Sequence, residues 1–390
     1  MKKRICMVRH GYLPQDPRVR KEALALVEAG HEVVIVCSRD AGECSKESWK
    51  DIEIHRLSIQ HIRKGIFRYL YEYTAFFLLA FFKVTRLHHK KKFQVIQVNT
   101  MPDFLVFVGL IPRIDGAKII IDMHELMPEF FASKFHFSSS KIIIDIIRIV
   151  EKISMKFADE IIAPSELRKK LIVSRPVNPE KITVVYNSPD EEVFDYKRVN
   201  HPSDTEEIID IIAHGTIIKL YGFQVLIKAL PHVITRYPAL KVAVIGSGEY
   251  LDELKAMAAG LHMENNVNFP GRLPLESLPA IIKKSKICVI SILRDEFTDY
   301  AAPNKLFEYI AMRSPVVCTD LKGIREYVDD SQVLYFQSGN ENDLAEKIVF
   351  LLTNAVKRLE LTENAWISYQ KYRWNKNKIV YQNLIANSLS

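Results

Sequence analysis

Short runs of β-branched and aliphatic residues alternate with longer stretches of helical period along most of the chain. In the first half, Arg4 to Arg9, Glu32 to Cys37, Glu53 to Leu57, Gln94 to Asn99, Lys118 to Asp122, Glu160 to Ala163 and Ile182 to Val185 predict strands. The second half repeats the scheme with Ile208 to His214, Lys241 to Ile245, Val267 to Phe269, Ile287 to Ser291, Val316 to Cys318 and Val333 to Phe336. Strands separated by helices predict parallel sheets with helices on both faces. The chain has 390 residues, more than a single core usually supports, so two doubly wound, Rossmann-like α/β domains are expected. Between them Asn187 to Glu207 is rich in Asp, Glu, Pro, Asn and Ser and lacks a sustained apolar period. The expected division is a first domain over 1–190, a linker over 191–207, a second domain over 208–360 and a tail over 361–390. Trp366, Tyr369, Tyr372, Trp374 and Tyr381 make that tail a long helix packing back on the body. Ligands of open parallel sheets bind beyond the carboxyl ends of the strands, so two such domains would present those ends to a cleft.

Composition narrows the class. The start, Met1-Lys2-Lys3-Arg4 followed by Ile5 to Val8 before Arg9, has no apolar stretch of signal-peptide length, which predicts a cytoplasmic protein. The five cysteines form no CxxC pair, and four lie in apolar strand-like runs, as buried reduced thiols do. The formal net charge of +7 is unevenly distributed: residues 1–190 carry 31 Lys+Arg against 22 Asp+Glu, and residues 191–390 carry 23 against 25. Most of the excess falls between Arg56 and Lys92, a segment with nine basic residues and one acidic residue, Glu72. Such clustering implies a partner surface.

Several turns could hold an anionic ligand. Pro303 starts a short helix, so the backbone N–H groups of Asn304, Lys305 and Leu306 lie at its positive end, which suits a diphosphate. Glu308, one turn on, could accept both hydroxyls of a ribose. Ala213-His214-Gly215-Thr216 ends a strand and leads past Lys219 to Tyr221-Gly222 and an amphipathic helix. Lys219 and Lys305 are compact point charges of the kind that binds phosphate. Gly246-Ser247-Gly248 ends the next strand, and Phe269-Pro270-Gly271-Arg272 the one after. In the first half, His10-Gly11 ends the first strand, Asp16 caps a helix and Pro17 starts it. Arg18 follows as a helix-terminal residue expected to pair locally. Asp122-Met123-His124-Glu125 ends the fifth strand, where a neutral imidazole could polarise a hydroxyl or carry a proton. No Asp-x-Asp motif or cluster with ligand spacing suggests Mg²⁺ or Mn²⁺. No metal or cofactor is therefore expected.

The segment Pro303 to Val317 resembles the end of the Glu-x7-Glu signature of the family 4 retaining glycosyltransferases of the GT-B fold, with Glu308 as the second glutamate and Tyr300 at the first position. Asp299 and Glu296 lie nearby, out of register. The resemblance extends in family order through the opening helix, the His124 loop, Tyr186-Asn187 and the Gly215 turn. It implies two Rossmann-like domains facing across a cleft, with the C-terminal helix returning to the first. It implies that Gly11, Gly215, Thr216, Lys219, Gly246, Gly248, Arg272, Tyr300, Asn304, Lys305, Leu306 and Glu308 line the donor site. His124 would hydrogen-bond the donor sugar, and His124, Glu308 and Lys219 would form the catalytic set. The implied reaction moves a sugar from a nucleoside diphosphate donor to a hydroxyl, on a lipid-linked or cell-surface polysaccharide precursor, with retention. A nucleotide-sugar epimerase or hydrolase on the same fold and a catalytically silent nucleotide-sugar-binding partner subunit stay open as alternatives.

Tyr73 to Phe82 is ten residues without a charge, about 15 Å as a helix, and a bilayer core needs about twice that. Arg63, Lys64, Arg68, Lys83 and Arg86 beside Phe76, Phe77, Phe81 and Phe82 suggest a surface lying on an anionic membrane on the acceptor side. The alternative is a core helix with a solvated basic end. Nucleic acid is the poorer partner, because the aromatics continue an apolar run and do not alternate with basic positions on a sheet.

Overall fold

The computed structural model describes residues 2–60, 65–135, 141–175, 177–199 and 208–389. Arg63 and Lys64 lie outside the described residues. The chain forms two compact units, one of Met1–Asn187 with Asn375–Ser390 and one of Ser188–Trp374.

The first unit is built on β1 (Arg4–Arg9), β2 (Glu32–Ser38), β3 (Lys46–Trp49), β4 (Ile52–Leu57), β5 (Val95–Asn99), β6 (Lys118–Asp122), β7 (Glu160–Ala163) and β8 (Ile182–Val184), in the order β3-β4-β2-β1-β5-β6-β7-β8. Every pairing is parallel except β3 with β4. Ile5 to Val8 and Val95 to Asn99 are buried on successive positions, as strands covered on both faces must be. The polar edge strand β3 has no such run, and the hydrophobic pattern does not reveal it.

The second unit carries β9 (Ile209–His214), β10 (Val242–Ile245), β11 (Val267–Gly271), β12 (Ser285–Ile290), β13 (Val316–Thr319) and β14 (Leu334–Phe336), in the order β11-β10-β9-β12-β13-β14, all parallel. In each unit the strand order reverses beside the first strand, between β1 and β5 and between β9 and β12. That geometry opens a crevice at the carboxyl ends of those strands.

Residues 188–199 pack on the second unit, and residues 200–207 of the expected linker lie outside the described residues. Lys283 Nζ donates to the carbonyls of Tyr196 and Val199 and sits 4.0 Å from the Tyr196 ring. The tail is two helices, Ala355–Tyr369 and Trp374–Ser388, where one was expected. The Glu191 carboxylate accepts from Arg373 Nε at 2.9 Å and from the Trp374 amide at 3.3 Å, capping the second helix from a point remote in sequence.

Beneath the first sheet, Asp103 is wholly buried and neither carboxyl oxygen has a hydrogen-bond partner among the described residues. Burial, with Glu151 nearby, pushes its pKa well up, and Arg175 offsets only part because it bridges Glu151 and Glu129. A carboxyl raised on folding adds stability that is present below its unfolded pKa and is lost as pH rises through the folded one. Asp103→Asn is therefore expected to be more stable than the parent by about 1–3 kcal/mol at alkaline pH, with the gap closing towards acid. Urea titrations over a pH series measure this, and a gap independent of pH would contradict it.

Candidate functional site

In the first unit the crevice beside β1 and β5 is filled by a buried polar network. Asp16 caps the helix Pro17–Glu28, accepting from the amides of Arg18 at 3.1 Å and Val19 at 3.2 Å, and the register then turns Arg18 and Glu22 inward. Arg18 does not pair locally alone. Its guanidinium makes two 2.8 Å bonds to Asp122, 104 residues away, besides lying 3.2 Å from Glu22. This bidentate geometry is the strong form of such a pair. Gln97 Nε2 donates to Glu22 at 2.7 Å, and Tyr381 Oη from the C-terminal helix donates to Gln97 at 2.6 Å.

His124 stands at the rim of this network. Its Nε2 is 2.9 Å from Asp122 Oδ2 and 3.3 Å from Asn99 Nδ2. The His124 amide donates to Thr100 Oγ1 at 3.1 Å, and Arg168 donates to the His124 carbonyl at 3.0 Å while pairing with Glu125 at 2.7 Å. Backbone and ring are thus both fixed. Burial and the Arg9 cation push the imidazole pKa down, and Asp122 offsets part of that, so the ring is neutral at pH 7. Burial opposes ionisation of Asp122, but Arg18 and His124 more than compensate and hold it below the usual carboxylate range. Glu22, buried beside that charge, is pushed up to about 8. Gly11 closes the β1 loop, its amide on Arg9 O and its carbonyl accepting from Ser38, both at 3.0 Å.

In the second unit three loops interlock at the carboxyl ends of β9, β10 and β11. The Gly215 amide donates to Ile245 O and the Gly246 amide to Gly271 O, each at 2.9 Å. Gly246 has φ +150°, and a Cβ there would fall 1.9 Å from the Gly215 carbonyl oxygen. At Gly222 a Cβ would fall 1.7 Å from Ser291 O, so only glycine lets the β9 loop cross the end of β12. Gly248 lies in the same turn as Gly246, against Ile217.

The helix Asn304–Ala311 is seated by Leu306, Phe307, Tyr309 and Ile310, all buried. Each such burial contributes about 1.5–3 kcal/mol. That apolar face sets Lys305 and Glu308, three residues apart, on the other side. Lys305 Nζ reaches to 3.0 Å from where a Gly215 Cβ would be, over the rings of Tyr221 and Phe223 at 5.6 and 5.2 Å. Burial lowers its pKa to about 8, with Glu308 offsetting part. Glu308 Oε2 lies 3.2 Å from His214 Nε2, and the His214 amide donates to Tyr309 Oη at 3.2 Å.

The remaining residues expected at this site lie as follows. Lys219 and Arg272 are exposed with no side-chain ion pair among the described residues, and Thr216 is exposed. Pro303 caps the helix from outside its first residue, and the Leu306 amide donates to Pro303 O at 3.0 Å, which leaves it engaged. Asn304 and Lys305 provide the remaining first-turn amides. The Tyr300 ring lies under Lys322 Nζ at 5.2 Å, in a turn held by Asp299, whose carboxylate takes Lys322 Nζ at 3.0 Å.

The basic aromatic segment is the helix Gly65–Lys91. Phe76 is wholly buried in the core of the first unit, and Phe77 and Phe81 pack half-buried against that core, which corrects their placement on an outer face. Phe82 is exposed, as are Phe67, Leu70, Tyr71 and Leu78. Arg68 lines a cavity of about 370 Å³ with Arg39, Asp40, Ser58, Gln60 and Tyr71, beyond the carboxyl ends of β2 and β4.

Two family models match the chain in sequence order. Residues 18–193 match Glycosyltransferase Family 4, and residues 209–354 match Glycosyl transferases group 1. An uncharacterized glycosyltransferase of Methanocaldococcus jannaschii is 22% identical over 350 residues, 86% of each chain. The N-acetylgalactosamine-N,N'-diacetylbacillosaminyl-diphospho-undecaprenol 4-alpha-N-acetylgalactosaminyltransferase of Campylobacter jejuni is 27% identical over 288 residues, 70% of this chain and 73% of that protein. Among solved structures, sucrose-phosphate synthase from Thermosynechococcus elongatus superposes with a TM-score of 0.79 at 18% identity, covering 99% of this chain and 100% of that one. Anabaena HepE in complex with UDP and glucose gives 0.71 at 18% identity, covering 99% and 98%. With both halves matched in order and the paired parallel-sheet units of the GT-B fold, the chain belongs to the family 4 type glycosyltransferases.

Proposed function

We propose that the enzyme transfers a sugar from a nucleoside diphosphate donor to a hydroxyl of a lipid-linked or cell-surface polysaccharide precursor, with retention of anomeric configuration. The observation that carries this reading is Lys305 held over the Gly215 turn, one helical turn from Glu308. Interlocked glycine loops expose backbone to a diphosphate, Lys305 and the positive end of the helix Asn304–Ala311 meet its charge, and Glu308 accepts from the ribose. The lipid-linked acceptor draws support from relatives named for a diphospho-undecaprenol substrate and for phosphatidyl-myo-inositol. Nucleotide use draws support from the Anabaena neighbour's UDP and UDP-glucose complexes.

In this reading the leaving diphosphate is stabilised in the second unit by fixed charge and dipoles without a bound metal, while His124 in the first unit keeps a neutral imidazole suited to a sugar hydroxyl. Tight placement of such donors is worth more than their strength in water. Work at the cytoplasmic face of a membrane is part of this reading, and the exposed stripe of Phe67, Leu78 and Phe82 along the helix Gly65–Lys91 supports contact with a membrane.

The test is incubation with a panel of nucleotide sugars and lipid extracts, with and without EDTA. Glycolipid formed equally in both is the expected result. Epimerised or hydrolysed donor without transfer, or nucleotide binding without turnover, would replace this reading with an epimerase, a hydrolase or a silent subunit. Activity lost in EDTA and restored by Mg²⁺ would overturn the metal-free part.

A further inference from the structure

The helix Lys141–Phe157 is apolar on two opposite sides. Ile144, Ile147 and Met155 face the core, yet Ile142, Ile146, Ile149 and Ile153 are 75, 55, 56 and 50% exposed. At 3.6 residues per turn these four fall within roughly 60° of arc on the side farthest from the core. Scattered exposed isoleucines are ordinary, but a continuous stripe over three turns of a water-facing helix is not. One flank of the stripe is basic: Lys141, Arg148, Lys152 and Lys156 are exposed there, with Asp145 as the one acid among them.

We propose that this outward face is a second docking line for an anionic lipid bilayer, extending the membrane reading of the helix Gly65–Lys91, on which it rests. Both helices pack on the segment Asp103–Gly109, and their inner faces meet in one cluster containing Tyr69, Tyr73, Ile144 and Ile147. Seventeen residues make a helix about 25 Å long, too short and too basic to cross a bilayer of about 30 Å but suited to lie in its interface. The isoleucines enter the acyl boundary while the lysine stems keep their ammonium groups among the headgroups. Charge selects this occupant over a second copy of the chain: face-to-face pairing would bring two basic flanks together, whereas anionic lipid attracts every one of them.

The experiment is flotation of the full chain with phosphatidylglycerol-containing vesicles and with phosphatidylcholine alone. It compares the parent, a quadruple Ile142→Ser, Ile146→Ser, Ile149→Ser, Ile153→Ser variant, a Lys141→Glu, Arg148→Glu, Lys152→Glu, Lys156→Glu variant, and a Phe67→Ser, Phe82→Ser variant of the other helix. Because the replaced side chains are exposed, circular dichroism and thermal midpoint should match the parent. The expected result is parent flotation on the anionic vesicles and a fall of about tenfold or more in partitioning for both variants of the helix Lys141–Phe157. Parent-like flotation of those variants, with loss only in the Phe67/Phe82 variant, would overturn this inference and leave the membrane reading standing. A parent that floats on neither vesicle would overturn both. A parent that sediments as a dimer, with the serine variant monomeric and flotation unchanged, would assign the face to a second copy. None of these outcomes bears on sugar transfer to a soluble acceptor, which tests the enzyme assignment separately.

Discussion

Arg18→Met is expected to destabilise the first unit by about 3–5 kcal/mol at pH 7, one of the largest single-residue effects in the chain. The methionine keeps the aliphatic volume but removes both 2.8 Å bonds to Asp122, leaving a buried carboxylate at 0% exposure without its cation. Urea unfolding of the full chain measures it, and a change below about 1 kcal/mol, the range of an exposed pair, would show that the pair is not buried in solution. Glu22 adds a pH signature. Its pKa is pushed up to about 8 by burial and by Asp122, so the stability it contributes is full below its unfolded value and is lost as pH rises through 8. Glu22→Gln removes that dependence. The difference between parent and Glu22→Gln, taken pH by pH, should grow in favour of the variant from pH 5 to 9, by no more than about 1.4 kcal/mol per pH unit. The lowered histidines are common to both proteins and cancel in the difference. A flat difference would mean that Glu22 is ionised throughout.

The same network marks how far sequence reasoning reaches. Strands such as β1 and β5 are legible because burial on both faces leaves an uninterrupted apolar run, whereas the strand order that sets the switch points is a property of the folded sheet and leaves no mark in that pattern. Asp16 and Pro17 announced the first helix through local capping chemistry. Arg18 carried no comparable sign, because its partner is 104 residues away and a helix-terminal arginine reads the same with or without it. A weaker signal was present: Arg18 and Glu22 share the inward face with Ala23 and Leu26, and Gln97 and Asn99 interrupt an apolar strand. Phe76 reads as an outer residue for a related reason, since a run of ten uncharged residues hides which face of the helix meets the core. Pro303 marks the start of the helix Asn304–Ala311 in the sequence, and its buried residues Leu306, Phe307, Tyr309 and Ile310 leave Lys305 and Glu308 on the other side. The choice of Lys305 over Lys219 at the Gly215 turn depends on the interlocking of three loops, which spacing along one chain does not encode.

Glu308→Ala is expected to weaken binding of a nucleoside diphosphate roughly ten- to a hundred-fold, the loss of a charged hydrogen-bond partner of about 1.5–3 kcal/mol. The matching 2′,3′-dideoxynucleoside diphosphate should bind the parent as weakly as the ribonucleotide binds the variant, and the variant should not distinguish the two. Because Glu308 also lies 3.2 Å from His214, Glu308→Gln serves as the control for lost packing. It should retain part of the affinity and the preference for ribose. A variant with parental affinity, or one that still discriminates the dideoxy ligand fully, would remove Glu308 from the ribose. Lys305 supplies the independent arm through its pKa of about 8 in the free protein. A bound diphosphate favours the cation and raises that value, so binding takes up a proton and affinity falls as pH rises above 8. Calorimetry in buffers of different ionisation enthalpy should register that uptake for the diphosphate and none for the free nucleoside. In Lys305→Met the uptake should vanish together with about ten-fold or more of the affinity, the result expected if the ammonium beside Gly215 meets the phosphate oxygens.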